Sequence, residues 1–227
     1  MRPVSFQIST ASATTNQSTQ TIAGTVAATE AAAGSTVTLF DTINGVTTQI
    51  GTATVVGGSW STTLTLPGNG THSIVAQDTD AAGNIGSSTP VVFTLATVAP
   101  TIAIASPVAG DNIINRTEAA AGVAISGTAT AGTGGAAVDG QTATIAIVDS
   151  TNAVKDTYTT TVTAGAWSVN VTAAQAQALA DGSYSITANV SDAVGNAATT
   201  ASQAITVDET SPTIAITSPV AGDNIIN

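Results

Sequence analysis

Apolar and polar residues alternate singly along much of this chain. Trp167, Val169 and Val171 fall on one side of an extended backbone, and Ser168, Asn170 and Thr172 on the other. Tyr184, Ile186, Ala188 and Val190 repeat the pattern against Ser185, Thr187, Asn189 and Ser191. Successive side chains of a strand point to opposite faces, so this period of two predicts half-buried antiparallel strands. Nearer the N-terminus, Val37 and Leu39 are expected to face Trp60, Leu64 and Leu66 across a core. Turn residues separate these runs: Asn44-Gly45 is a type I′ hairpin signal, and Gly57-Gly58 and Pro67-Gly68-Asn69-Gly70 mark further reversals. One stretch departs from the alternation. Residues 173–180 are rich in Ala, Gln and Leu, preceded by Thr172 and followed by Asp181-Gly182, which predicts one or two helical turns between strands.

The pattern recurs at long range. TIAIASPVAGDNIIN at 101–115 returns as TIAITSPVAGDNIIN at 213–227, with one difference, Ala105 against Thr217. The offset of 112 residues also maps Asp80-Ala-Ala-Gly83-Asn84 onto Asp192-Ala-Val-Gly195-Asn196, Gly70 onto Gly182, and Phe93 and Leu95 onto Ile205 and Val207. Further upstream the offset becomes 107, as in Gly58-Ser-Trp60-Ser against Gly165-Ala-Trp167-Ser, so the second copy carries five extra residues within 173–180. Units of about this size suit an immunoglobulin-like sandwich. The expected architecture is all-β, with tandem Ig-like antiparallel β-sandwiches arranged end to end: residues 1–97, residues 98–209, and the start of a third copy at 210–227. A chain that stops after an opening motif reads as a fragment of a longer array.

Composition narrows the function. Thr and Val, whose branched side chains suit a pleated surface, are abundant, while only 7% of residues are charged. The absence of cysteine excludes disulfides and thiolate metal sites. A net charge of −11 with three basic residues argues against nucleic acid, which is bound by neutralising phosphates. A single histidine, His72, leaves too little for Ser-His-Asp, Cys-His or His-rich zinc chemistry, so no catalytic residue is expected and an enzyme is not. No apolar run is long enough to span a bilayer, and the first ten residues hold no secretory h-region.

The series AGDNIINRTE (109–118), ISGT (125–128), GAWSV (165–169), DGSYSITA (181–188), SDAVGN (191–196) and ITVDETSPTI (205–214) resembles the bacterial Ig-like repeats of giant adhesins, the biofilm-associated and RTX-type surface proteins of Gram-negative bacteria. IAGTVAATEAAAGSTVTLFD (22–41) and DTDAAGN (78–84) resemble a related subtype. The resemblance implies an extracellular, cell-surface spacer exported by a type I system without an N-terminal signal. Its partners are neighbouring repeats and other copies in a matrix, and calcium at the joints stiffens the rod.

The acids are the one chemically distinctive set. Calcium takes six to eight oxygens from carboxylates, Asn side chains, carbonyls and water. In an Ig-like topology Asp139, Asp192 and Asn196 fall at the N-terminal pole of the second unit. Asp111, Asn115, Glu118, Asp181, Asp208 and Glu209 fall at its C-terminal pole. With so few Lys and Arg nearby, grouped carboxylates repel one another unless a cation intervenes. The resemblance makes Asp111, Asn115, Glu118, Asp139, Asp192, Asn196, Asp208 and Glu209 candidate calcium ligands. The competing reading is ordinary turn chemistry, in which Asp and Asn bond nearby backbone amides. At the first joint Ala96 and Thr97 stand where Asp208 and Glu209 stand at the next, so linker 96–100 supplies no carboxylate. Weak or no calcium binding and freer bending are expected there.

Other features have plainer explanations. His72 aligns with Tyr184, the place of a core-capping aromatic, and Trp60 and Trp167 are matching core residues. Asp78 and Asp80 sit two apart without a second acid pair or an aromatic sugar platform. Asn-x-Ser/Thr triplets at Asn16, Asn69, Asn115, Asn170 and Asn189 arise readily in so Thr- and Ser-rich a chain, and Thr63-x-Thr65 reads as a solvent face. The alternative to a spacer is a glycan- or protein-binding module, for which the Gly-rich loop 131–140 is the best surface.

Overall fold

A computed structural model describes residues 6–27, 35–79 and 83–216. The N-terminal strands are β1 (Gln7–Ile8), β2 (Ala13–Thr15), β3 (Thr19–Thr25), β4 (Thr36–Ile43), β5 (Val46–Thr54), β6 (Ser59–Thr65), β7 (Gly70–Thr79), β8 (Ile85–Ser87) and β9 (Val91–Leu95). After them come β10 (Thr101–Ile104), β11 (Ile113–Asn115), helix α1 (Arg116–Ala121), β12 (Val123–Thr130), β13 (Thr142–Asp149), β14 (Val154–Thr161), β15 (Ala166–Val171), helix α2 (Ala173–Ala176), β16 (Gly182–Asn189) and β17 (Ala201–Asp208).

The fold is all-β, built from sandwich-type sheets. β1-β3-β6 face the sheet β2-β9-β7-β4-β5, whose β7 also pairs with β8. β10-β12-β15 face β11-β17-β16-β13-β14. Two separate clusters of buried side chains result. One gathers Ile22, Leu39, Trp60, Ile74 and Phe93, and the other Ile125, Ile145, Trp167, Ile186 and Ile205. The alternation therefore does what it predicts: one face of each strand fills a core and the other meets water. Asn44 and Gly45, at φ 51° and 78°, are both left-handed, as a type I′ turn between β4 and β5 requires.

The recurring Gly and Trp explain each other. On β3, Gly24 faces Trp60 of β6, and on β12 Gly127 faces Trp167 of β15. A Cβ at Gly127 would stand 2.4 Å from Trp167 Cζ2 and 2.0 Å from the Ala103 carbonyl oxygen. At Gly24 the values are 2.4 Å from Trp60 Cζ2 and 2.1 Å from the Gln7 oxygen. The indole lies flat over bare backbone, and only glycine leaves it room.

In both sandwiches the edge near the N-terminus is split. β10 pairs antiparallel with β12, and the chain then crosses to the other sheet, where β11 runs parallel to β17. β1 with β3, and β2 parallel with β9, repeat the arrangement.

Candidate functional site

At the C-terminal end of the second sandwich the β11–β17 register sets Asn115 opposite Asp208. Asn115 caps α1: its Oδ1 accepts from Thr117 N at 2.9 Å and Glu118 N at 3.1 Å, while Glu118 Oε2 accepts from Asn115 N at 3.0 Å. This reciprocal box satisfies backbone donors that a helix start leaves open. Asp181 Oδ1 accepts from Glu209 N at 2.7 Å, and its other oxygen accepts from the Thr210 hydroxyl. The Glu209 N–H, and then that hydroxyl, hold the Asp181 carboxyl below the usual carboxylate range. Asp208 Oδ1 accepts from Thr210 N at 3.3 Å. Glu209 differs, because its buried Oε1 has no hydrogen bond. Asp111 bonds Ile113 N at 2.9 Å and stands apart, since Ile113 already lies opposite Thr206. Residues 217–227, which hold most of the third copy, lie outside the described residues.

At the opposite end, the loop between β16 and β17 meets the loop between β12 and β13 through Ala193 N to Ala137 O at 2.9 Å. Asp192 is 3% exposed. Its Oδ1 accepts from Val194 N at 3.1 Å and Asn196 N at 2.8 Å, and its Oδ2 from Asn196 Nδ2 at 2.7 Å. Burial works to raise the Asp192 pKa, but these donors, led by the Asn196 amide, outweigh it and hold the carboxyl below its ordinary value. Asp139 Oδ1 accepts from Gly165 N at 2.8 Å, which ties its loop to the β14–β15 turn. Asn196 Nδ2 also donates across to the carbonyl of Ala96, at 2.8 Å.

These geometries test the fit of calcium. Among the described residues, no three Asp, Glu, His or Cys side chains converge as a metal group. At the first joint Asp192 accepts its bonds from N–H donors and linker 96–100 supplies no carboxylate, so the described residues there bring together no group of acids. At the outgoing end Glu209 Oε1 is buried without a hydrogen bond, beside Asp208 and the Asp181 carboxyl that bonds Glu209 N.

Sequence reasoning missed the most buried polar pair. His72 and Asp41 are both fully buried, with Nδ1 and Oδ2 2.6 Å apart. His72 Nε2 donates to the Gly68 carbonyl at 2.9 Å. The usable signal was parity: Asp41 continues the inward series Val37 and Leu39. Asp78 Oδ1 accepts from Thr79 N at 2.9 Å, while Asp80 lies outside the described residues. The Gly-rich loop packs on the linker, for a Cβ at Gly132 would fall 2.4 Å from Val98 Cγ1 and one at Gly135 2.6 Å from Val98 O.

Residues 109–209 match the family model described as a bacterial Ig-like domain. That match supports a bacterial Ig-like domain across most of the second sandwich. No curated protein matches the chain. Among solved structures it is similar to the fibronectin(III)-like modules of Clostridium thermocellum CbhA, at 15% identity and a TM-score of 0.40, covering 91% of this chain and 94% of that one.

Proposed function

We propose that this chain is a run of structural spacer repeats from a secreted bacterial surface adhesin, serving cell adhesion and biofilm as an extender rather than as a catalyst. The observation that carries this reading is the parallel pairing of the second strand with the last in both sandwiches, β2 with β9 and β11 with β17. Tension applied to the two chain ends slides parallel neighbours past each other. Their hydrogen bonds are then loaded together in shear instead of being opened one by one. The same device built twice suits a module whose work is to hold its ends apart under load. Two short segments frame it: linker 96–100 and the outgoing residues Asp208 and Glu209. Calcium held by Asp208 and Glu209, completed by the next repeat, would neutralise the acids of the outgoing joint and stiffen it.

The test is to stretch single molecules of the full chain between its termini. Two separate unfolding peaks at forces well above those of an unzipping hairpin are expected, and unzipping-like traces would remove the spacer reading. The rival, a glycan- or protein-binding module, would use loop 131–140, where Ala131, Thr133, Gly134, Ala137, Asp139 and Gly140 are exposed while Gly132 and Gly135 close on Val98. Retention of the chain on a glycan array, abolished by replacing residues of that loop, would favour the rival.

A further inference from the structure

Linker residues 96, 97 and 98 are gripped in turn by the two sandwiches. Ala96 is 3% exposed. Its N–H donates to Thr15 O at 2.9 Å in the first sandwich, and its carbonyl accepts from Asn196 Nδ2 at 2.8 Å in the second. Thr97 returns to the first sandwich, where both its N, at 3.0 Å, and its Oγ1, at 2.9 Å, donate to Asn69 Oδ1. Val98, 37% exposed, then lies against Gly132 and Gly135 of the second, where a Cβ on either would collide with it. The sandwiches also approach directly: a Cβ at Gly195 would lie 3.9 Å from Asn16 Nδ2, and one at Gly134 3.9 Å from Asn69 Cβ, ordinary contact distances.

The clamp depends on how Asn196 is held. A side-chain amide has two N–H donors. Here one goes to Asp192 Oδ2 and the other to Ala96 O, so the amide is fully used and aimed. Asp192 is the orienting acceptor, and it is also the acid a calcium ion at this joint would need. The N–H donors on Asp192, and not an ion, hold the Asn196 amide in the direction that closes the joint.

We propose that the Asp192-x-x-Gly195-Asn196 loop is a docking surface for the end of the preceding repeat, and that Asn196 makes the first joint a rigid, calcium-independent one. The proposal rests on the spacer reading for its purpose. It replaces the freer bending expected of a linker without carboxylates by a lock built from neutral amides. An array of such repeats then carries two kinds of joint, one set by protein contacts alone and one responsive to calcium.

The test measures rotational correlation times of the two sandwiches by 15N relaxation on the full chain, in calcium and in chelator. One shared correlation time is expected in both buffers. Asn196→Ala, with its dispersed spectrum retained, is expected to lose the shared value in both, each sandwich falling towards the time of a single unit. Gly132→Val, which expels Val98 without touching Asn196, gives a second route to the same loss should Asn196→Ala fail to fold. Separate tumbling in chelator, coupling that appears only with calcium, or coupling that survives both substitutions would overturn the proposal. The spacer reading fails independently, in the pulling experiment: high-force unfolding with uncoupled sandwiches removes the clamp alone, and low-force unfolding of a coupled chain removes the spacer alone.

Discussion

The buried histidine shows how one residue changes what its neighbours must be. In the second sandwich Tyr184 Oη donates to the Ala180 carbonyl at 2.9 Å, four residues upstream, a tyrosine corner. His72 makes the corresponding bond to Gly68, also at 2.9 Å and also four residues upstream. A phenol has one polar atom to satisfy and an imidazole has two. Where Tyr184 needs nothing more, His72 Nδ1 needs a partner at a site closed to water, and Asp41 supplies it. The position matching Asp41 is Ile147, which faces Ile186 as Asp41 faces Ile74. Installing tyrosine alone strands the Asp41 carboxylate, so His72→Tyr is expected to cost about 3–5 kcal/mol. Asp41→Ile alone leaves Nδ1 unpaired, at about 1–3 kcal/mol. The double variant, which reproduces the second sandwich, is expected to return to wild-type stability or above. Urea unfolding of the four proteins checks this, and a double variant as unstable as the sum of the singles would show that the two sites are not exchanged as a pair. The sequence made the histidine's place legible through its alignment with Tyr184. The aspartate stayed hidden because its partner is 31 residues away and nothing local announces the contact.

Elements with a regular period were legible, and elements defined by a distant partner were not. Strand alternation, the hairpin turns and α2 follow from neighbouring residues, and the structure places them as the pattern predicts. β11 has three residues, too few for a period, and its parallel partner β17 lies some ninety positions on. The spacing Asn115-x-x-Glu118 is itself a capping-box signal, and it opens α1. The ligand reading drew on the same two residues for their oxygens. Edge strand β14 offers a test at this scale. It carries Lys155, paired with Asp149 at 2.8 Å, a charge of the kind that discourages edge-to-edge pairing. It also carries Tyr158, packed against the core, whose phenol burial pushes up from 10.0 to about 12. A raised folded-state pKa means that the folded chain keeps a proton the unfolded chain gives up. The stabilisation is therefore whole below pH 10 and is lost as pH climbs towards 12. Urea midpoints of wild type should fall between pH 9 and 11.5 by more than those of Tyr158→Phe, and parallel declines would count against a buried phenol.

On the scale of the whole molecule, two cores share no strand, and the described contact between them runs through the linker and the two loop ends. Cooperativity within each sandwich is set by its own Gly-Trp pair, inter-sheet packing and terminal strands, whereas the joint couples rigid-body orientation. Orientation and unfolding should then respond to different substitutions. Gly24→Ala and Gly127→Ala each drive a methyl into an indole and a carbonyl. Overpacking of this kind costs about 1–3 kcal/mol. For a domain of this size each kilocalorie moves Tm by roughly 4–8 °C. Calorimetry of the full chain is expected to resolve two transitions, with Gly24→Ala lowering one and Gly127→Ala the other. Asn196→Ala should leave the first sandwich's midpoint close to wild type while it frees the joint, and destabilise the second by about 1–3 kcal/mol because buried Asp192 Oδ2 loses its donor. A single transition lowered equally by either glycine substitution would mean that the interface, and not the core, sets the cooperative unit. The chain would then behave as one body that happens to contain two sandwiches, with a joint too strong to be a hinge at any calcium level.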